Sequence, residues 1–219
     1  DGMAYKLKTW RLPLGGRTAK GKAIVNILPI PVGVSIAAIM PVDVEEKEWD
    51  NLQIIFATSA GDVRRNALSD FTNVRSNGKI AMDLNEGIEL VNARIAGEDD
   101  DVMLFTDSGR AIRFSTTAVR VFKGRKSTGV RGIKLLRTDK VVSMSVIRHF
   151  IATPDERSAY LKMRRAVSGL VDEEASSDEE EVSENATISP DRYAEMSAAE
   201  NLILTITAGG AGKLSSSHD

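Results

Sequence analysis

Thirteen lysines and arginines recur at comparable places along this chain: Arg17, Lys20 and Lys22; Arg64, Arg65, Arg75 and Lys79; Arg110, Arg113, Lys123, Arg125, Lys126 and Arg131. The leading members of each group flank a turn, and the rest crowd the loop before a repeated glycine. Cations spaced along a surface do one kind of chemistry well: they neutralise the oxyanions of a polyanion such as a nucleic-acid backbone. Asp62, Asp70 and Asp83 interrupt the series.

Bond-making chemistry finds few parts in comparison. His149 and His218 stand far from any Ser, Cys or carboxylate arrangement that would make a nucleophile or a base, and both read as surface histidines. The run 209–215, G-G-A-G-K-L-S, imitates a phosphate-binding loop but fails it twice. Thr207 stands where the leading glycine belongs, and Leu214 where Ser or Thr must follow the lysine. A hairpin turn explains it better. The chain has no cysteine, so no disulfide or thiolate metal site is available.

The net charge of −2 conceals an asymmetry. Asp172, Glu173, Glu174, Asp178, Glu179, Glu180, Glu181 and Glu184 form one acidic block, and without it the rest carries a surplus of six positive charges. The block lacks the glycine-spaced ligand pattern of a calcium loop, so it reads as a solvated linker. The run 171–187 has almost nothing to bury and is expected to be disordered. Folded over the cations, it could also act as a brake on their binding of polyanions.

Positions are set by a repeat of about 50 residues. I-I-F-A-T-S-A-G-D-V-R-R (54–65) aligns with V-M-L-F-T-D-S-G-R-A-I-R (102–113), which brings Gly61 over Gly109 and Arg65 over Arg113. Downstream, R-S-N-G-K-I-A-M-D-L (75–84) aligns with K-S-T-G-V-R-G-I-K-L (126–135), and R-T-A-K-G-K-A-I-V-N-I-L (17–28) supplies a partial copy through Gly21. A second apolar strand is expected at 34–40, 88–93 and 141–146. Gly61 and Gly109 each read as the positive-φ residue of a hairpin turn. Each unit is thus a small antiparallel sheet, and the chain is all-β, a propeller-like array of blades. A further strand and turn opens at 201–213.

Residues 148–200 do not repeat. Thr153, Pro154 and Glu156 signal a helix start, Tyr160, Leu161 and Val167 give it a weak apolar stripe, and Gly169 is a C-cap. Ser189-Pro190 begins a second helix through about Ala199. The expected division is 1–50 as the end of a first blade, 51–98 and 99–147 as the second and third. An insertion over 148–200 and the start of a further blade at 201–219 complete it. The uncharged stretch 23–42 is too rich in proline to cross a membrane as a helix. The opening residues lack a secretory leader.

Three linked strings resemble the C-terminal domain of the A subunit of bacterial DNA gyrase: 16–29 (G-R-T-A-K-G-K-A-I-V-N-I-L-P), 100–114 (D-D-V-M-L-F-T-D-S-G-R-A-I-R-F) and 127–135 (S-T-G-V-R-G-I-K-L). The resemblance implies a β-pinwheel of four-stranded blades that exchange strands. It also implies a non-catalytic role, wrapping duplex DNA so that an ATP-driven topoisomerase introduces negative supercoils. By it, the partners are duplex DNA, the rest of a homodimeric gyrase A chain, and the gyrase B chain, in the bacterial cytoplasm and without a membrane. ATP and Mg2+ would act elsewhere in the holoenzyme, with no cofactor in this segment. The family's Gln-Arg-Arg-Gly-Gly-Lys-Gly box does not occur in the chain, and none of Tyr5, Tyr160 or Tyr193 is the DNA-cleaving tyrosine. A-G-G-A-G-K-L (208–214) departs from the aromatic turn with which the family contacts DNA. The corresponding domain of topoisomerase IV and a protein-binding propeller are the competing readings.

Overall fold

The structure, a computed structural model, describes residues 1–124, 126–168 and 187–219. They divide into two compact units, Asp1–Val146 and Ile147–Asp219.

The first unit is built from short strands: β1 (Met3–Ala4), β2 (Gln53–Thr58), β3 (Asp62–Ala67), β4 (Lys79–Ile80), β5 (Leu90–Ala96), β6 (Asp100–Thr106), β7 (Ala111–Ser115), β8 (Val130–Arg131) and β9 (Val141–Arg148). One sheet has the order β5-β2-β3-β8, a second β7-β6-β9, and β1 pairs with β4. The pairs β1–β4, β2–β3, β2–β5, β3–β8 and β6–β7 are all antiparallel. The all-β, propeller-like reading therefore stands.

Both faces of β2 are buried, which period-two geometry turns into two cores. Ile55 and Ala57 join Val63, Ala96, Val102, Leu104 and Met144 on one side. Ile54 and Phe56 join Trp49, Leu68, Phe71, Met82 and Ala93 on the other. A sheet covered on both faces is what stacked blades require.

Strand exchange explains which expected strands exist. β8 belongs by sequence to the third repeat but completes the sheet of the second, through Asp62↔Arg131 and Val63↔Val130. β4 does the same one repeat earlier, through Met3↔Ile80 and Ala4↔Lys79. The residues after Gly21 and the stretch 34–40, both expected as strand, form none; a short 3-10 turn at Ile24–Asn26 is all that appears. A strand needs a partner for its amides, and among the described residues no post-turn strand stands one repeat upstream of Gly21. The later counterparts do form, as β5 and β9.

The second unit holds α1 (Pro154–Ser168), α2 (Pro190–Ala199) and the antiparallel hairpin β10 (Leu202–Ile206) with β11 (Gly212–Ser216). The expected capping box is present. The Thr153 amide donates to Glu156 Oε2 at 2.8 Å, and the Glu156 amide to Thr153 Oγ1 at 3.2 Å. Arg192 adds its guanidinium at 2.8 Å, and the Arg192 and Thr153 bonds hold the Glu156 carboxyl below its usual range. Ser189 caps α2 by accepting from the Arg192 amide. Of the expected stripe, Tyr160 is buried and Leu161 half-buried, but Val167 is exposed. Gly169 and the acidic run, apart from Thr187, lie outside the described residues.

His218 corrects an expectation. It is buried, with its ring against Phe150 and Tyr160 and Nε2 2.9 Å from the Met196 carbonyl. Two aromatic rings from distant positions close around it, and nothing in the linear sequence announces them. His149 is exposed, as expected.

Candidate nucleic-acid interface

Each hairpin that opens a repeat closes in the same way. The carbonyls of Thr58, Thr106 and Thr207 accept from the amides of Gly61, Gly109 and Gly210 at 2.9, 3.1 and 3.0 Å. Their hydroxyls accept from the amides of Asp62, Arg110 and Ala211 at 3.1, 3.2 and 3.2 Å. All three glycines have positive φ, between 80° and 87°. The turn at 208–214 is thus intact in backbone; only the residues displayed on it differ, with Leu214 where Arg65 and Arg113 stand.

Gly2 shows that the pattern reaches farther upstream than the aligned strings suggest. Its φ is 75°, and its carbonyl accepts from the Ala81 and Met82 amides, as the Gly61 carbonyl accepts from those of Gly132 and Ile133. Lys6 therefore occupies the place of Arg65 and Arg113, four residues after the glycine. Sequence reading missed it. Sliding D-G-M-A-Y-K onto S-G-R-A-I-R would have found it.

These three cations are mostly occupied within the protein. Lys6 Nζ donates to Glu46 at 2.6 Å and to the Thr72 carbonyl at 2.8 Å. Arg113 Nε meets Asp101 at 2.7 Å. Arg65 is buried with Nε and Nη1 lacking a hydrogen-bond partner among the described residues, and burial pushes its guanidinium pKa down, opposed in part by Glu98. The contrast has a local cause. Asp101 sits diagonally across its hairpin from Arg113, and the corresponding position opposite Arg65 is the neutral Gln53.

A carboxylate at that place should complete the pair. Gln53→Asp is expected to raise stability by about 1 kcal/mol, since it satisfies a buried charged donor. The check is a higher urea midpoint at unchanged m-value. The Asp carboxyl would be depressed in the fold, so the gain should hold above about pH 3.9 and fade as pH falls through the folded value.

Arg64 points the opposite way from Arg65 along β3 and is completely buried. Its Nε donates to Asn66 Oδ1 at 2.9 Å and its Nη1 to the Ser127 carbonyl at 2.7 Å. Asn66 Nδ2 in turn donates to the Phe122 carbonyl at 2.9 Å and lies 3.4 Å from that of Gly124. The Arg64 and Arg120 guanidiniums stand over the Phe122 ring at 5.2 and 4.1 Å. Residues 122–124 and 126–128 are thereby tied down from beneath, with Lys123 and Lys126 exposed on them.

The thirteen expected site residues thus separate. Arg17, Lys20, Lys22, Arg75, Arg110, Lys123, Lys126 and Arg131 are exposed. Lys79 and Arg113 are half-buried and bonded, Lys79 to the Asp70 carbonyl. Arg64 is completely buried and Arg65 7% exposed, which corrects their reading as surface positions. Arg125 lies outside the described residues. Reading by repeat also hid how uneven the charge is. Ser108 to Arg148 holds eleven Lys and Arg against one acid, Asp139, whereas Ser59 to Glu98 holds five against six. Arg120, Lys134, Arg137 and Lys140, all exposed, belong with the basic segment. A simple running charge would have shown them.

A family model described as the DNA gyrase C-terminal domain, beta-propeller, matches residues 1–43, 53–96 and 100–148. The chain belongs to the DNA gyrase C-terminal domain family. The DNA gyrase A chain of Granulibacter bethesdensis is 46% identical over 229 residues, covering 100% of this chain and 24% of that protein. The chain thus spans about a quarter of the length of such relatives. Among solved structures, a DNA gyrase A C-terminal domain superposes with a TM-score of 0.54 at 23% identity, over 67% of this chain and 45% of that one. A topoisomerase IV C-terminal domain gives 0.52 at 24%, over 62% and 40%. At these identities both speak for the fold alone. Within the gyrase family fold, the blade-to-blade strand exchange seen here is what carries the basic loops.

Proposed function

We propose that this chain is a DNA-wrapping segment of the gyrase A chain, bending duplex DNA along its basic surface so that the holoenzyme can introduce negative supercoils. One observation carries the reading: the excess of positive charge between Ser108 and Arg148, displayed on exposed Lys123, Lys126, Arg131 and Lys134. Such contacts go to phosphates, so binding tolerates any sequence and releases counterions. Under this reading the blades are 1–50, 51–98, 99–147 and the start at 201–219. The partners are duplex DNA, the gyrase B chain and a second copy of the gyrase A chain in the bacterial cytoplasm, while ATP and Mg2+ act elsewhere in the assembly.

The test joins affinity to topology. Affinity of the full-length protein for a ~100-bp duplex should fall steeply and linearly in log–log form with rising salt. A nicked circle ligated with the protein bound should trap positive writhe. A salt-independent affinity, or an unchanged linking number, would sink the proposal.

A further inference from the structure

We infer that Arg64 and Asn66 are positioning residues for the DNA-binding segments 122–124 and 126–128, so that the second repeat sets the geometry with which the third engages phosphate. The inference rests on the DNA-wrapping reading and adds to it a role for two residues that no DNA can touch.

Both side chains are fully buried in β3, yet much of their bonding is directed outside their own repeat. Arg64 Nη1 reaches the Ser127 carbonyl at 2.7 Å, and Asn66 Nδ2 reaches the Phe122 carbonyl at 2.9 Å. The Arg64 Nε bond to Asn66 Oδ1, at 2.9 Å, locks the two into one unit. Backbone bonds extend the seam: the Phe122 amide donates to the Arg65 carbonyl at 2.8 Å, and Arg65 pairs with Val121 in an isolated bridge. A loop of Lys, Gly and Ser has little apolar surface to hold it, so bonds to its carbonyls must fix its path. Charge-assisted donation from a buried guanidinium is among the strong ways to do so.

One repeat upstream the next loop is tied from a different place, that of Arg65; Tyr5 and Leu7 stand at the places of Arg64 and Asn66. Lys6 Nζ donates to the Thr72 carbonyl at 2.8 Å, and Thr72 corresponds to Lys123 when Gly78 is set on Gly129. In the third repeat the places of Arg64 and Asn66 are taken by Ile112 and Phe114, which carry no side-chain donor. The clamp therefore belongs to the hairpin of one repeat and serves the loop of the next.

Two substitutions isolate the effect in the full-length protein. Asn66→Asp keeps the volume and the bond to Arg64 but turns an acceptor toward the Phe122 and Gly124 carbonyls and the Asp70 carboxylate, to which Asn66 Nδ2 now donates. Arg64→Met keeps the aliphatic stem and removes the donors. Hydrogen exchange should quicken at the amides of Lys123, Gly124 and 126–128 while those of β2 and β5 stay protected, which also certifies the fold. DNA affinity should drop about tenfold in each variant, and the drop should vanish in a Lys123→Gln/Lys126→Gln background, as a double-mutant cycle requires of residues acting through those lysines.

An equal drop in both backgrounds, or unaltered exchange in the loop, would overturn the inference. Failure of both variants to protect β2 and β5 would do so as well, by making them core residues only. If instead the parent protein shows no salt-dependent DNA binding, the wrapping proposal has failed while the exchange data still judge the clamp.

Discussion

Replacing Gly129 by valine should cost about 3 kcal/mol or more of stability and detach β8 from the sheet of the preceding repeat. Gly129 has a φ of 97°, where a branched side chain is strained, and a Cβ there would run into the Val63 carbonyl, with Val63 C at 2.8 Å. The obstacle is backbone, so no rotamer relieves it. Gly109→Val is the matched comparison: its φ is 80°, but a Cβ there meets nothing within 4 Å among the described residues. That variant should lose only the local conformational term, about 1–2 kcal/mol. Urea titration of both, read at constant m-value, checks the difference. Equal losses would mean that the exchange of β8 does not depend on this close approach.

The second large effect is on binding. Lys123→Glu, Lys126→Glu and Lys134→Glu together should weaken binding of a ~100-bp duplex by about a thousandfold at low salt. They should also flatten the dependence of log K on log salt by about three. All three side chains are exposed, so stability should scarcely move. The same experiment at Arg113 should read differently. Its Nε meets Asp101, which is buried, and Arg113→Glu would face that carboxylate with another, so protein stability falls before any DNA contact is lost. A filter-binding or fluorescence titration across salt, paired with a denaturation curve for each variant, separates the two outcomes.

The turns were plain in the sequence because their signal is local. Thr58 to Gly61 and Thr106 to Gly109 carry both their hydrogen bonds and their glycine within four residues. The helix caps at Thr153 and Ser189 were legible for the same reason. Strand exchange was not, since β8 finds its partner more than 60 residues upstream and is only two residues long. The expected strand at 34–40 pairs with nothing among the described residues, and apolar residues alone do not make a strand without a neighbour.

Side-chain fate at the basic positions was the hardest to read. Arg64 and Arg65 look equivalent as a dipeptide. Alternation along β3 sends them to opposite faces, and both faces happen to be covered. Whether an arginine binds outward or braces inward was decided by partners such as Ser127, Asn66 and Asp101, and of these only Asn66 is near in sequence. Lys123 and Lys126 stayed exposed because the loop beneath them is held by its carbonyls, which leaves the side chains free to project.

The dependence of each loop on the hairpin before it has a consequence for how such a protein can be rearranged. The piece that is structurally complete is not the aligned repeat of about 50 residues but an offset one, running from a hairpin to the far side of the next glycine loop. A duplication or excision cut at 98/99, in register with the sequence repeat, would part Arg64 and Asn66 from Phe122 and Ser127 and leave Gly129 without Val63. Shuffling of blades among relatives should therefore find its tolerated junctions between β5 and β6 only when the neighbour brought in carries its own donors at the places of Arg64 and Asn66. The joints of this fold lie inside its repeats.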